Sequence, residues 1–321
     1  MDLSIIIVNW HSAGYVRACL KSVFGTVSGL SFEVIVIDSG SGDGCEEMVA
    51  REFPVVRFVE SKENLGFPKA NNTAYRCAKG EVLLFLNPDA EVCEGTVLEL
   101  WQSLRKLPQA GIVGARLLNS DGTLQTSCIQ AFPTIWNQIL DSEWLRQRSP
   151  RARLWGMAAL FQEEAQPAEV DMVSGACLMV KREVFEQVGL FSTYCFMYVE
   201  DVDLCLKARR AGWKTYYVPE AQVVHHGGGS STASTQTFGA VMAQESMKRF
   251  FECTRGRWYA RAFTFALALA AAQRCLLLAC IWLFQRMAGL KADTRFSLNK
   301  WLAIFRWAVG GETWVKKYGY S

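Results

Sequence analysis

Short apolar runs alternate, through the first half of the chain, with stretches whose apolar residues recur every three or four positions. The runs read as strands and the stretches as amphipathic helices. "SIIIVNW" opens the series as a strand. "GYVRACLKSVFG" follows as a helix with Val16, Cys19, Leu20 and Val23 on one face. "FEVIVIDSGSGDG" is a second strand running into a Gly/Ser/Asp loop, where Asp43 can cap the helix "CEEMVAREF". "VVRFVES" is a third strand. "FPKANNTAYRCAKG" is a helix with Pro68 in its first turn and Gly80 as its C-terminal cap, and "EVLLFLNPD" is a fourth strand. Strands separated by helices predict an α/β fold, with a mainly parallel central sheet and helices on both faces. Ligands of such sheets bind beyond the C-terminal ends of the strands. Asn9, Asp38 and Asp89 fall at those ends.

The second half is more mixed. "EGTVLELWQSLRKL" reads as a helix, "AGIVGARLL" as a strand and "NSDGTLQTS" as a hairpin. Residues 130–168 carry weak periodicity, consistent with a long loop or partial helices. "VDMVSGACLMVKREVFEQVG" is a strand and a helix, and "EDVDLCLKARRAG" a helix with three carboxylates in its first turn. "TYYVPEAQVVHHGGGSS" is a strand ending in two histidines. Residues 230–240 read as a linker, and beyond Gln244 the chain turns helical, basic and aromatic.

Half of the 321 residues are apolar and 20% are charged, so a sizeable core is easily built. Eleven cysteines without CxxC pairs point to a reducing compartment rather than a disulfide frame or a zinc knuckle. Asp2 before a short apolar run, with no basic leader, does not read as a signal peptide. The net charge of +3 hides an asymmetry: residues 248–321 balance to +10 and the remainder to −7. With the aromatic residues interleaved there, this basic tail suits an anionic membrane surface better than nucleic acid.

Four polar clusters sit where strands end or helices begin: Asp38, Asp89, Glu200-Asp201 and His225-His226. Each has an ordinary reading alone. Asp38 with Ser39-Gly40-Ser41 can be a capping loop, Asn-Pro-Asp a turn, the acidic cluster a complement to a helix dipole, and the histidines polar strand-end residues. Their order and spacing together carry more.

The stretches "SIIIVNW", "VIDSGSGDG", "ENLGFPKANN", "LFLNPDAEV", "VSGACLMVKREVFEQVGLF", "FMYVEDVDLCLKARRAGW" and "VVHHGGGSS" run in this order over residues 3–231. The ordered set resembles the inverting family-2 glycosyltransferases with a GT-A fold, especially their rhamnosyltransferase-like branch. The resemblance implies a nucleotide-sugar donor, a Mg²⁺ or Mn²⁺ ion and an acceptor hydroxyl. It places a GT-A domain over 1–229, with a nucleotide-sugar-binding half (1–90) and an acceptor and catalytic half (91–229). A C-terminal membrane-associating region then covers 230–321.

Residue by residue, Asp89 matches the last position of the family's Asp-X-Asp-like metal motif, whose first position here is Asn87, with Glu91 behind it. His225 matches the histidine beyond the strand, a ligand of metal or diphosphate, and His226 competes for that role. Asp38 matches the contact to the donor's base or ribose, beside Asn9 and with Ser39 where the family often has Asn. Asn64, Gly66 and Phe67 match the loop lining the nucleotide pocket, and Ser174 and Gly175 a donor or acceptor contact. Asp201 matches the general base, with Glu200 as the alternate base or an orienting group, and Asp203 as a cap.

The segment 262–284 is long enough to cross a bilayer, but Gln273 and Arg274 fall at its middle, and a mid-span arginine costs roughly 2.5–3.5 kcal/mol on insertion scales. Two amphipathic helices in place of a single span there, lying on or dipping into the cytoplasmic membrane face as part of a membrane-contacting region 245–321, are the expectation. Arg257, Arg261, Arg286 and Lys291 would meet headgroups, and Trp258, Trp282, Trp301 and Trp307 the interface. Such a surface suits a lipid-linked glycan acceptor, with L-rhamnose from a dTDP- or UDP-sugar as the donor the branch suggests. It also leaves an oligomer open. Two other enzyme classes fit less well. A nucleotidyltransferase wants a Gly-rich, Arg/Lys-bearing loop where "VNWHSAGY" stands, and a Rossmann dehydrogenase a G-x-G-x-x-G after the first strand. A non-catalytic sugar- or lipid-binding protein would tolerate loss of Asp89 and Asp201.

Overall fold

The structure, a computed structural model, describes residues 1–162, 164–227, 233–288 and 294–318. In chain order the elements are β1 (Leu3–Asn9), α1 (Ala13–Thr26), β2 (Phe32–Ser39), α2 (Cys45–Glu52), β3 (Arg57–Ser61), α3 (Phe67–Tyr75), β4 (Val82–Leu86), β5 (Ala90–Val92), α4 (Thr96–Lys106) and β6 (Ala110–Leu118). Next come β7 (Ile129–Gln130), α5 (Ile135–Ile139), α6 (Glu143–Arg148), β8 (Ala168–Val170), β9 (Met172–Val173), β10 (Cys177–Lys181), α7 (Arg182–Gln187), α8 (Glu200–Arg210) and β11 (Lys214–His225). The chain ends in α9 (Ala233–Arg255), α10 (Arg257–Met287) and α11 (Arg295–Ala308). It divides into two compact units. The first is Met1–Phe132, Glu143–Thr193 and Glu200–Ser230; the second is Pro133–Ser142, Tyr194–Val199 and Ser231–Ser321.

The first unit is built on a nine-stranded sheet in the order β3-β2-β1-β4-β10-β6-β11-β5, with β8 paired to β11. β1, β2, β3 and β4 pair in parallel. β10 enters antiparallel between β4 and β6, and β11 lies parallel to β6. All seven residues of β1 and all five of β4 are buried, as strands covered on both faces must be. α1 buries the four residues its periodicity singled out: Val16, Cys19, Leu20 and Val23.

The register fixes where the strand tips lie. Asn9 is level with Asp38 on β2, and Ile7 with Leu86 on β4. The polar residues that follow each strand therefore emerge side by side at one end of the sheet.

Two expectations change. Gly80 does not cap α3, which ends at Tyr75 with Arg76 at its cap. Gly80 instead lies against β1, where a Cβ would sit 2.4 Å from the Ser4 nitrogen. The linker expected at 230–240 lies partly outside the described residues, and its described part from 233 on opens α9. The weakly periodic 130–168 stretch holds only short elements, among them α5 and α6.

In the second unit α9, α10 and α11 pack on one another. Phe250, Phe251 and Phe263 are fully buried there. Phe251 meets Tyr259 and Phe263 edge-on at 5.0 Å, a favoured aromatic geometry. Two segments distant in sequence join these helices: Arg249 donates to the Tyr194 carbonyl (3.1 Å) and Arg255 to that of Pro133 (3.2 Å). α10 runs unbroken through Gln273 and Arg274. The arginine is turned inward, donating to the Ile139 and Asp141 carbonyls (3.0 and 2.9 Å) and stacking 4.1 Å over the Trp301 ring. Both hydrogen bonds come from Nη2, and Nη1 is buried without a hydrogen-bond partner among the described residues. Trp307 also turns inward, donating to Glu245 at 2.9 Å. Trp301 and Trp307 are thus packing residues rather than interface anchors, whereas Trp258 is 79% exposed. Lys291 lies outside the described residues.

Candidate active site

The tips of β1 and β2 form a closed polar network. The Asn9 amide donates to Asp38 (2.6 Å), Ser41 (3.1 Å) and Asp43 (3.0 Å), while its oxygen accepts from the Ser12 backbone and hydroxyl. Asp38 also accepts the Ser41 N–H at 2.9 Å and the Ser41 hydroxyl. A carboxylate has about four acceptor positions, so Asp38, although buried, keeps capacity for one further donor. Asp43 is not the N-cap of α2, which is Gly44, although it accepts the Cys45 N–H at 3.2 Å. It accepts the Ala13 N–H at 2.9 Å and so ties the α2 entry to the start of α1. Burial alone would raise its pKa, but hydrogen bonds from Ala13, Asn9, Ser41 and Cys45 hold it below the usual carboxylate range.

Ser39 stitches the next loop to this tip. Its hydroxyl oxygen accepts the Leu65 N–H (2.8 Å) and its proton points to Asn64 Oδ1 (3.3 Å). Asn64 Oδ1 in turn accepts the Gly66 N–H at 3.0 Å. Gly40 has φ +71°, and a Cβ there would lie 2.7 Å from the Glu63 carbonyl carbon, so glycine is needed for the two loops to meet. Gly66, at φ 71°, precedes α3, which Phe67 opens with Pro68 in the first turn.

At the tip of β4, Asp89 Oδ1 lies 3.3 Å from His225 Nε2, and the Asn87 amide lies 3.3 Å from the same nitrogen. Gln125 Oε1 is 2.8 Å from His225 Nδ1. His226 belongs to a neighbouring pair: its Nε2 meets Glu91 at 2.8 Å and its Nδ1 meets Ser120 at 2.8 Å. The structure thereby separates the two histidines, with His225 going to Asp89 and His226 to Glu91.

Among the described residues no three His, Cys, Asp or Glu side chains converge as a cation site. The donor set at Asp89 is a carboxylate, an imidazole and the Asn87 amide. This suits an ion held mainly by substrate phosphates and water, as Mg²⁺ usually is. Neighbouring ligands of a six-coordinate ion with bonds of about 2.1 Å stand roughly 3 Å apart, and the Asp89–His225 separation is close to that. Asp89 and His225 would hold the ion, which would supply positive charge between a carboxylate and an imidazole nitrogen. The residues fit the ion.

The acidic pair lies on the other side of β10. The Asn87 N–H donates to the Ala176 carbonyl at 3.0 Å, and one residue earlier the Gly175 N–H donates to Asp201 Oδ2 at 2.8 Å. A Cβ at Gly175 would lie 3.4 Å from Asp201 Cβ, in direct contact. Ser174 is held by the Cys128 carbonyl through its N–H at 2.9 Å. The segment 174–176 therefore joins the Asp89 cluster to Asp201. Asp201 Oδ1 accepts the Val202 N–H at 2.8 Å.

Burial raises the Asp201 pKa, and the N–H donors of Gly175 and Val202 oppose the rise. Glu200 is buried, its Oε2 has no partner among the described residues, and burial followed by the Asp201 charge pushes its carboxyl far above the usual range. Burial thus favours the protonated form of both carboxyls, and at Asp201 the two backbone N–H donors offset it. Tyr198 and Val199, just before α8, hold φ 67° and 70°, which costs non-glycine residues about 1–3 kcal/mol each. Asp203 is structural: it accepts from Ser192 (2.6 Å) and pairs with Lys207 (3.2 Å).

Two participants had no sequence signal strong enough to single them out. Gln125 follows an exposed hairpin, a hundred residues before its partner His225. Ser41 looked like a loop residue. Only Asp43 was visible, and for a smaller role.

The glycosyl transferase family 2 model matches residues 4–189, and that of glycosyl transferase family group 2 matches residues 133–310. An N-acetylglucosaminyl-diphospho-decaprenol L-rhamnosyltransferase of Mycobacterium tuberculosis is 33% identical over 210 residues, which cover 60% of this chain and 66% of that protein. The low-salt glycan biosynthesis hexosyltransferase Agl10 of Haloferax volcanii is 29% identical over 213 residues, covering 65% of this chain and 62% of that protein. The chain thus spans slightly less than two thirds of these relatives. Among solved structures, the mannosyltransferase PcManGT from Pyrobaculum calidifontis, in complex with GDP-Man and Mn²⁺, superposes with a TM-score of 0.57 at 20% identity over 98% of this chain and 88% of that one. The family match covers more than half of the chain, and its arrangement of strands agrees with the GT-A fold: the chain belongs to glycosyl transferase family 2.

Proposed function

We propose that this protein is a glycosyltransferase that moves a sugar, L-rhamnose as first candidate, from a dTDP- or UDP-sugar to a hydroxyl of a lipid-linked glycan in cell-surface polysaccharide synthesis, with inversion at the anomeric carbon. The observation that carries the reading is the short path from Asn87 through Ala176 and Gly175 to Asp201. It sets a carboxylate beside a cluster suited to a diphosphate. In the reaction Asp201 accepts the acceptor hydroxyl's proton as its oxygen bonds to the anomeric carbon. The bond from that carbon to the diphosphate oxygen breaks, and its electron pair leaves with the nucleoside diphosphate. Mg²⁺ or Mn²⁺ bound by Asp89 and His225, with Asn87 beside them, supplies charge neutralisation for that leaving group. Asn9, Asp38 and Ser39, with the loop at Asn64, Gly66 and Phe67, hold the nucleoside end. Asp38 offers its remaining acceptor position to an imide N–H or ribose hydroxyl. Ser174 and Gly175 keep the base in place.

The donor and acceptor classes rest on the name of the mycobacterial relative together with the site's residue types. A panel of nucleotide sugars, assayed for diphosphate release with Mg²⁺, Mn²⁺ or EDTA, tests the reading. A dTDP- or UDP-deoxyhexose should lead, and EDTA should abolish release. Turnover that survives EDTA overturns the metal-dependent mechanism.

The membrane role belongs to α10, which is 31 residues long, carries no acidic residue and is apolar enough by length and composition to cross a bilayer. One stripe packs inward through Ala260, Phe263, Leu267 and Ala271, while Phe265, Leu269, Leu276, Leu283 and Phe284 are more than half exposed. Flanked by Arg257, Arg261 and Arg286, this outer face suits an in-plane helix at an anionic surface on the cytoplasmic side. Replacing Leu276 and Leu283 with glutamate should release the protein from phosphatidylglycerol vesicles in flotation. Unchanged flotation would refute the assignment. Point changes are the cleaner test, because cutting the chain near 240 also strips the partners of 133–142 and 194–199.

A further inference from the structure

A directed chain of hydrogen bonds runs through the hairpin after β6 and ends on His225. The Thr123 hydroxyl lies 2.6 Å from Asp121 Oδ1. An ionised carboxylate only accepts, and the Asp121 pKa is held low by the Thr123 hydroxyl and N–H, so the hydroxyl proton points to Asp121. The Thr123 oxygen is then left to accept, and the Asn119 amide donates to it at 2.9 Å. Asn119 Oδ1 faces the hairpin's next polar side chain and accepts from the Gln125 amide at 3.0 Å. Gln125 Nε2 is further turned toward the His225 carbonyl at 3.4 Å. With both groups orienting its amide, Gln125 must present Oε1 to His225 Nδ1, 2.8 Å away. Two acceptors cannot share that contact, so Nδ1 carries the proton. In the neutral ring Nε2 is then the free nitrogen, on the side of Asp89 and Asn87, both at 3.3 Å.

We propose that Gln125, aligned by Asn119, Thr123 and Asp121, is a positioning residue that locks His225 in the Nδ1–H tautomer and aims its free Nε2 at the cation site beside Asp89. This rests on the proposed metal role of His225 and adds what makes that role possible. A metal-bound imidazole needs its other nitrogen protonated and oriented, and outer partners of this kind are typically worth 10–100-fold in metal affinity. The backbone reinforces the arrangement, since the His226 N–H donates to the Asp89 carbonyl at 2.9 Å and keeps the two strand ends together. The same hairpin also holds His226 through Ser120, so both imidazoles depend on one loop.

The chain has three histidines, so long-range ¹H–¹⁵N spectra of the ¹⁵N-histidine-labelled full-length protein resolve the tautomers directly. In the unaltered protein His225 should be the Nδ1–H form. Gln125→Leu should convert it to a mixture or to Nε2–H, and weaken Mn²⁺ binding, read by electron paramagnetic resonance with Mn²⁺ alone, by about 10–100-fold. Gln125→Glu, which keeps an acceptor at Nδ1, should preserve the tautomer and bind Mn²⁺ much more tightly than the leucine variant. It also serves if Gln125→Leu does not fold. An Nε2–H tautomer in the unaltered protein, or a His225 signal indifferent to Gln125→Leu, or a glutamate variant that loses the Nδ1–H form, overturns the lock. His225→Ala separates the two ideas. Full Mn²⁺ affinity in that variant removes His225 from the metal site, while the tautomer spectra still decide what Gln125 does.

Discussion

Asp201→Asn should leave a folded protein that binds the nucleotide sugar but transfers sugar about 10²–10⁴-fold more slowly, the usual contribution of a positioned general base. The amide is nearly isosteric and its oxygen can still accept one of the two backbone N–H bonds from Gly175 and Val202. The change therefore removes the proton acceptor with little disturbance of the site. Nucleoside diphosphate release under saturating donor and acceptor measures it, with circular dichroism as the control for folding. Activity close to that of the unaltered protein would exclude Asp201 as the base. Glu200→Gln is the informative companion. Burial pushes the Glu200 pKa up to about 8, so glutamine mimics its protonated form, and the loss of activity should be far smaller than for Asp201→Asn. Its effect on stability has a defined sign. The folded-state pKa of Glu200 lies above its unfolded value, so the folded form binds more protons and stability falls as pH rises between the two. Glutamine escapes that fall. The Tm advantage of Glu200→Gln should thus grow from acidic to mildly alkaline pH, and a constant difference would show that Glu200 ionises normally.

Asp89→Ala should abolish metal-dependent turnover. Lewis-acid stabilisation of a departing diphosphate is worth several kcal/mol, or about three orders of magnitude in rate. Among the described residues Asp89 supplies the carboxylate in direct reach of His225, and Asn87 stands where a second would be. Its loss leaves an imidazole and an amide, a poor set for a hard cation. Turnover measured against Mn²⁺ concentration is the readout. The alanine variant should stay inactive over the whole range. Asp89→Asn, which retains an oxygen, should recover partly at high Mn²⁺. Equal activity of the alanine variant at all concentrations would remove Asp89 from the site.

The parts of the site that were legible in the sequence are those governed by local rules. A buried strand that stops at Asn9, Asp38 or Asn87-Pro88-Asp89 must put polar groups at its tip, because a two-sided apolar strand has no other place for them. The acidic first turn of α8 was equally visible, as carboxylates suit a helix N-terminus. Gly80 misled because a glycine after a helical pattern resembles a cap, and nothing local betrays a backbone packed against β1. The surroundings of Arg274 were equally hidden, because the carbonyls that receive it lie 133 and 135 residues away.

By itself, then, the sequence determined the alternation of strand and helix, the end of the sheet at which polar residues gather, and the residue types available there. Tertiary structure alone decided that β10 runs antiparallel between β4 and β6, which brings Gly175 to Asp201 on one side and Ala176 to Asn87 on the other. It also decided that His225 rather than His226 faces Asp89, and that Gln125 stands behind it. The physical reason is common to both. Periodicity and capping are set by neighbours within a few residues, whereas strand order and the partner of a buried imidazole are set by which distant surfaces exclude water together, and no short stretch of chain encodes that.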